Sequence, residues 1–250
     1  MISLQITAFL SSPLAIVDDY SPAIEGIIEY FVRQKEGKLH STASDASQHI
    51  PVELPLLKHP IGFYHASSPF YQYQQESTTR YRKRWDYQDR ALDWGKKKAK
   101  TSSQTGQFKS CDLPIFYRNT SRVDWAVVGI ESEIKQLLNQ VTSIGKHRGK
   151  GFGQVFRWQI SRLKTDYSLF NQQGQLMRPI PVAYWDSPIE APIFELAWKL
   201  PSYCIDSRSF CYAPINNAQL SESGVKTPPF KAAFFTGADF SSPVCAVTKH

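Results

Sequence analysis

The densest chemistry in the chain lies between Gly145 and Arg157, Gly-Lys-His-Arg-Gly-Lys-Gly-Phe-Gly-Gln-Val-Phe-Arg. Four glycines, four Lys/Arg residues and one histidine stand here without a single acid. Glycine lets a backbone turn through positive φ and approach a ligand closely, and the interleaved cations suit a phosphate backbone. The candidate nucleic-acid-binding set is Gly145, Lys146, His147, Arg148, Lys150, Gly151, Phe152, Gly153, Gln154 and Arg157. Lys146, Arg148 and Lys150 are expected to touch phosphate. Gly151 and Gly153 are expected to offer backbone N–H groups. The spacing Gly149-x-Gly151-x-Gly153 is not a nucleotide fingerprint. Such loops run from a strand into a helix, with the phosphate at the helix N-terminus. Here the helical pattern precedes the glycines and a strand pattern follows. ATP and NAD are therefore not expected, and no cofactor is. A turn that only reverses the chain would explain the glycines but not an acid-free run of cations.

A second concentration lies upstream. Aromatic residues are dense from Phe63 to Trp94, and basic residues join them from Arg80 onward. The chain has 29 Lys/Arg against 22 Asp/Glu; residues 80–100 hold nine of the former and three of the latter, so the remainder is near balance. Positive charge is thus local, which favours a binding surface over a general solubility charge. Cations among ring faces are what single-stranded nucleic acid needs. Arg80, Arg82, Lys83, Arg84, Trp85, Lys96, Lys97 and Lys98 are the candidate contacts. The alternative is a solvated loop whose aromatics pack onto the core.

These residues need a scaffold, and periodicity supplies one. Ser3–Leu10 alternates with period 2, a half-buried strand ended by Pro13. Ser21-Pro22 predicts an N-cap and first helical position, followed by Ile24, Ile27, Ile28 and Phe31 at helical spacing and a stop at Gly37. Arg122–Gly129 is a strand. Ile134, Leu137, Leu138, Val141 and Ile144 predict a helix that Gly145 ends at its C′ position. Val155–Leu163 resumes strand character. One more strand within 50–120 would complete βαββαβ, so the expected class is α+β, a ferredoxin-like (RRM-like) domain over 1–163 with a long basic thumb-like insertion at about 38–120. Residues 164–250 hold nine of the sixteen prolines and read as a β-rich extension, with Ile193–Leu200 its best strand. Cys111, Cys204, Cys211 and Cys245 form no CxxC pair, so reduced thiols in a cytoplasmic protein are expected. A zinc site using Cys204, Cys211 and a histidine is the alternative; no metal is expected. No apolar run approaches membrane-span length.

Helix, Gly-Lys-x-Arg-x-x-Gly-Phe-Gly-x-Val, then strand resembles the glycine-rich loop of the CRISPR-associated RAMP superfamily. Leu4–Pro13, Ala23–Tyr30, Phe63–Ser68, Arg178-Pro-Ile-Pro181 and Cys204–Pro214 resemble one branch, the type IV effector subunit of the "Cas-five" kind. That resemblance implies a non-catalytic subunit that binds the 5′ handle of the crRNA and caps the filament of backbone RAMP subunits beside the large subunit. Target DNA and a helicase would meet it through the assembled complex, and the insertion would serve as a thumb over RNA. No catalytic residue is assigned. Two alternatives stand beside it. Some members of the superfamily are metal-independent endoribonucleases, for which His147 beside Lys146 is the candidate acid–base group; His40, His49, His59 and His65 are others. An RRM-like RNA-binding protein outside CRISPR would use Phe156 and Trp158, although no ribonucleoprotein signature lies on that strand.

Overall fold

The computed structural model describes residues 1–38, 51–83, 111–185, 189–202 and 204–214. These form a mixed α+β structure with few helices and three small antiparallel sheets. In chain order the elements are β1 (Ile2–Leu10), β2 (Leu14–Ala15), α1 (Ile24–Lys35), β3 (Gln75–Lys83), β4 (Cys111–Asn119), β5 (Arg122–Gly129), α2 (Glu131–Leu138), β6 (Val155–Arg162), β7 (Ile180–Pro181), β8 (Ile193–Ala197) and β9 (Arg208–Tyr212).

The central sheet runs β5-β1-β6. The alternation expected in β1 decides its two faces. Leu4, Ile6 and Ala8 stand opposite Val127, Trp125 and Val123 of β5, and all six are at most 1% exposed. Ile24, Ile28 and Val32 of α1 and Ile134, Leu137 and Leu138 of α2 close over this face in one cluster. Burying each large apolar side chain is worth about 1.5–3 kcal/mol, so this cluster is the main reason the sheet forms. The opposite face is polar. Thr7 Oγ1 and Gln5 Nε2 donate to Asp124 Oδ1 at 2.5 and 2.9 Å, and Arg122 Nε donates to Oδ2 at 2.6 Å. A buried carboxylate needs such partners.

Beside β5, residues 65–70 occupy a fourth, broken position. Ala66 bridges Val127 and Phe70 bridges Asp124, both antiparallel. Between them the Ala126 N–H donates to the Ser67 hydroxyl instead of a backbone carbonyl, which interrupts the ladder.

Two helix boundaries differ from expectation. α1 starts at Ile24 with Ala23 at its N-cap, so Pro22 is not the first helical residue. The Ser21 hydroxyl turns back to Asp18, and the Pro22 carbonyl accepts the indole N–H of Trp125. α2 stops at Leu138, and Gly145 is not its C′ residue. Val141 and Ile144 are buried as foreseen, but on non-helical chain. The Val141 carbonyl accepts the Trp158 indole N–H, and residues 142–144 pair with 153–155. These partners lie across the loop, so continuing the helix would gain nothing.

The insertion is built differently from the single strand expected there. β3 and β4 pair over nine residues each, from Gln75↔Asn119 to Lys83↔Cys111, and β2 joins the base of this hairpin. Buried Arg118 ties the base to its surroundings, donating to Asp19 at 2.6 Å, Glu76 at 2.7 Å and the Tyr71 hydroxyl at 3.1 Å. Burial opposes its charge, but these hydrogen bonds outweigh burial and hold the guanidinium more firmly protonated than usual.

After β6 the chain makes a small sheet in the order β7-β9-β8. Arg178 seats it against residues 63–68. Its guanidinium donates to the carbonyls of Tyr64, Ala66 and Trp198, faces Glu25 at 3.5 Å and lies 4.4 Å from the Phe63 ring centroid. Cys204 and Cys211 are buried free thiols, and burial pushes the Cys211 thiol up. Among the described residues no helix is long and apolar enough to cross a membrane.

Candidate nucleic-acid interface

The glycine loop is held at its root and open at its tip. At the root, Ile144 N–H donates to Gly153 O, and Val155 N–H to Thr142 O. The chain between β1 and β4 grips the same root. Pro13 O accepts from Gly153 N–H at 2.8 Å, and Ala15 O accepts from Lys146 N–H at 3.1 Å. Gln154 is fixed through Ser11 N–H and the Ser12 hydroxyl. Two glycines are required here. At Gly145, φ is +77° and a Cβ would lie 2.8 Å from the Ala15 carbonyl; at Gly153, φ is +64° and a Cβ would overlap the Ile144 carbonyl.

The tip is a 3-10 turn, Arg148–Lys150, flanked by His147 at φ 56° and Gly151 at φ 87°. Lys150 N–H donates to His147 O, and Gly151 N–H to Arg148 O. This corrects the expected role of the glycine amides. Gly151 spends its N–H inside the loop and Gly153 spends its N–H on Pro13 O, so the loop offers side chains rather than an amide cradle at these positions. Burial, then Lys150 and Lys146, push the His147 imidazole below its ordinary value.

Lys146, Arg148 and Lys150 are exposed. Among the described residues no acid lies within ion-pair distance of them or of Arg157. Rings neighbour Lys150 and Arg148. Lys150 Nζ sits 3.2 Å from the Tyr81 ring centroid, Arg148 lies 5.6 Å from that of Tyr30, and Phe152 packs against Tyr117 at 5.6 Å. Pro13, Thr79, Tyr117, Asn119, Lys150, Gly151 and Phe152 line a cleft of about 360 Å³ between loop and hairpin.

The hairpin therefore meets the loop with one face only. Strand alternation puts Ser77, Thr79, Tyr81 and Lys83 on that face. Arg80 and Arg82 belong to the other, where both pair with Asp112, at 3.0 and 3.3 Å. They do not join the cleft. Arg84, Trp85, Lys96, Lys97 and Lys98 lie outside the described residues, as do His40 and His49. Of the dense aromatics, Phe63, Tyr64 and Tyr71 are core residues, so this part of the segment packs onto the core instead of forming a binding surface.

No family model matches the chain, and neither does any curated protein. The functional reading therefore rests on the chemistry of the cleft. Thr79, Tyr117 and Asn119 escape sequence reasoning because neither hairpin strand carries an apolar period-2 pattern. Tyr81 is visible there only as one aromatic among many. Tyr30 gives no signal because it occupies the polar face of α1.

Proposed function

We propose that the chain is a non-catalytic guide-RNA-binding subunit of a class 1, type IV CRISPR effector complex, with a ferredoxin-like core. It grips the 5′ handle between glycine loop and hairpin and adjoins backbone and large subunits. The observation that carries this reading is the cleft: Lys150 and Phe152 of the acid-free loop on one wall, Tyr117 and Thr79 of the hairpin on the other, with the Lys150 ammonium over the Tyr81 ring. A phosphate would sit at Lys150, and a base would lie against Phe152 and Tyr117. The ferredoxin-like part draws support from strand order. Residues 65–70 followed by β5, β1 and β6 give a four-position antiparallel sheet with both helices on one face, as βαββαβ requires.

Replacing Lys146, Arg148 and Lys150 together by Ala is expected to weaken guide-RNA binding. It should also flatten the dependence of log affinity on log salt by about 0.7 for each phosphate that is no longer neutralised. Filter binding across a salt series measures both, and an unchanged slope refutes the assignment. Repeat RNA incubated with purified protein in EDTA should stay intact. Specific cutting that disappears in His147→Ala would reverse the non-catalytic reading.

A further inference from the structure

A second cluster of rings and cations lies on the polar face of the central sheet, outside the cleft. It starts from a defect in β6. The β1–β6 register shifts between Phe9 and Leu10: Phe9 pairs with Arg157 and Leu10 with Val155, which leaves Phe156 as the extra residue. A bulge of this kind sets two residues against one and re-aims a side chain. Phe156 is 66% exposed, and its ring lies 6.1 Å from that of Phe9. Arg157 covers the same Phe9 ring at 4.1 Å. On the other side, β5 sets Arg122 opposite Phe9. The result is one row across three strands: Arg122, Phe9, then Arg157 with Phe156. Arg122 is 52% exposed although paired with Asp124, and Arg157 meets no acid among the described residues. Gln159 follows as an exposed polar group opposite Thr7.

From this row we infer that the bulge of β6 is a stacking platform for an unpaired base of single-stranded RNA, with Arg157 and Arg122 taking the flanking phosphates. The ring face of Phe156 accepts any base, so recognition here is of strandedness rather than sequence. Charge decides against an apolar protein partner: the exposed ring shares the Phe9 ring with the Arg157 guanidinium and adjoins the acid-free loop through Gln154. The inference rests on the RNA-binding reading above but uses different residues. Strand leaving the cleft would continue onto the sheet, because the loop root and the bulge are consecutive in the chain.

The test uses the full chain and single-stranded RNAs of about 12 nucleotides, each with one 2-aminopurine at successive positions. Phe156→Ala should bind about tenfold more weakly, keep the wild-type salt slope, and lose 2-aminopurine quenching at one or two positions. Phe156→Tyr should restore both affinity and quenching. Phe156 is exposed, so thermal unfolding of both variants should match wild type. If the triple loop variant loses affinity while Phe156→Ala binds and quenches as wild type, the platform is overturned and the loop assignment stands. If Phe156→Ala instead abolishes association with a protein subunit and leaves RNA binding unchanged, the platform is likewise overturned. If wild type binds none of the RNAs, the platform falls together with the RNA-binding reading.

Discussion

Arg178→Met is expected to lower the unfolding free energy by about 3–5 kcal/mol, the cost of breaking a buried ion pair from one side. Three consequences combine. The carbonyls of Tyr64, Ala66 and Trp198 lose their donor, the Phe63 ring loses its cation, and Glu25 is left buried without its counter-charge. The Glu25 carboxylate is already held at a cost. Burial pushes its carboxyl up and outweighs the pull of Arg178, and Glu25 Oε2 has no hydrogen-bond partner. Glu25→Gln should therefore cost much less than Arg178→Met. The pH dependence follows from the same shift. Above the unfolded carboxyl's range the folded state binds the extra proton, so stability falls as pH rises through the folded value. Glu25→Gln removes that fall. Urea unfolding at several pH values measures both effects. An Arg178→Met protein with wild-type stability would show that the small C-terminal sheet does not depend on this anchor.

Gly153→Ala is the second large effect. The left-handed backbone costs a non-glycine residue about 1–2 kcal/mol. More serious is the overlap of its Cβ with the Ile144 carbonyl, because that neighbour is backbone. Ile144 cannot retreat without losing its own bond to Gly153 O. A total of about 3 kcal/mol or more is expected, read as a fall in thermal stability. Gly149→Ala is the control. No heavy atom lies within 4 Å of the added Cβ, and its φ is not in the left-handed range, so stability should hardly change. On the proposed reading, RNA binding should fall in Gly153→Ala even where the protein stays folded, since the root aims Lys150 and Phe152. Equal behaviour of the two variants would mean that the loop root is not a constraint.

The central elements are legible in the sequence because each sets an apolar row toward the core, although β5 is covered on both faces. β1 and β6 alternate, and Ile24, Ile27, Ile28 and Phe31 fall at helical spacing, as a half-buried element must; in β5 the row Val123, Trp125 and Val127 carries the same signal. The hairpin is not legible, for the converse reason. Gln75–Lys83 is exposed or half-buried throughout, so neither face is marked by apolar residues. β4 carries Pro114, which reads as a strand breaker. Its position is tolerated because β2 reaches only Tyr117 and Arg118, leaving β4 an edge at that level. The far end of α2 misleads for a third reason. Val141 and Ile144 keep helical spacing because they fill the same core, and periodicity reports burial rather than hydrogen bonding. At the loop, the residue types are plain, but the direction of each amide is not. Whether a glycine N–H faces a ligand or a neighbouring carbonyl depends on bonds to Pro13 and Ala15, more than a hundred positions away.

Pro13 and Ala15 also determine how the two walls of the cleft move. Their carbonyls hold Gly153 and Lys146, and Leu14–Ala15 pairs with the base of the hairpin. Both jaws thus hang from one hinge pin three residues long, and neither can swing without dragging the other. The aperture at the roots of the two walls is therefore set before anything arrives. A single strand that fits it would bind without the entropic cost of ordering the walls, and one that does not fit would find no slack to exploit.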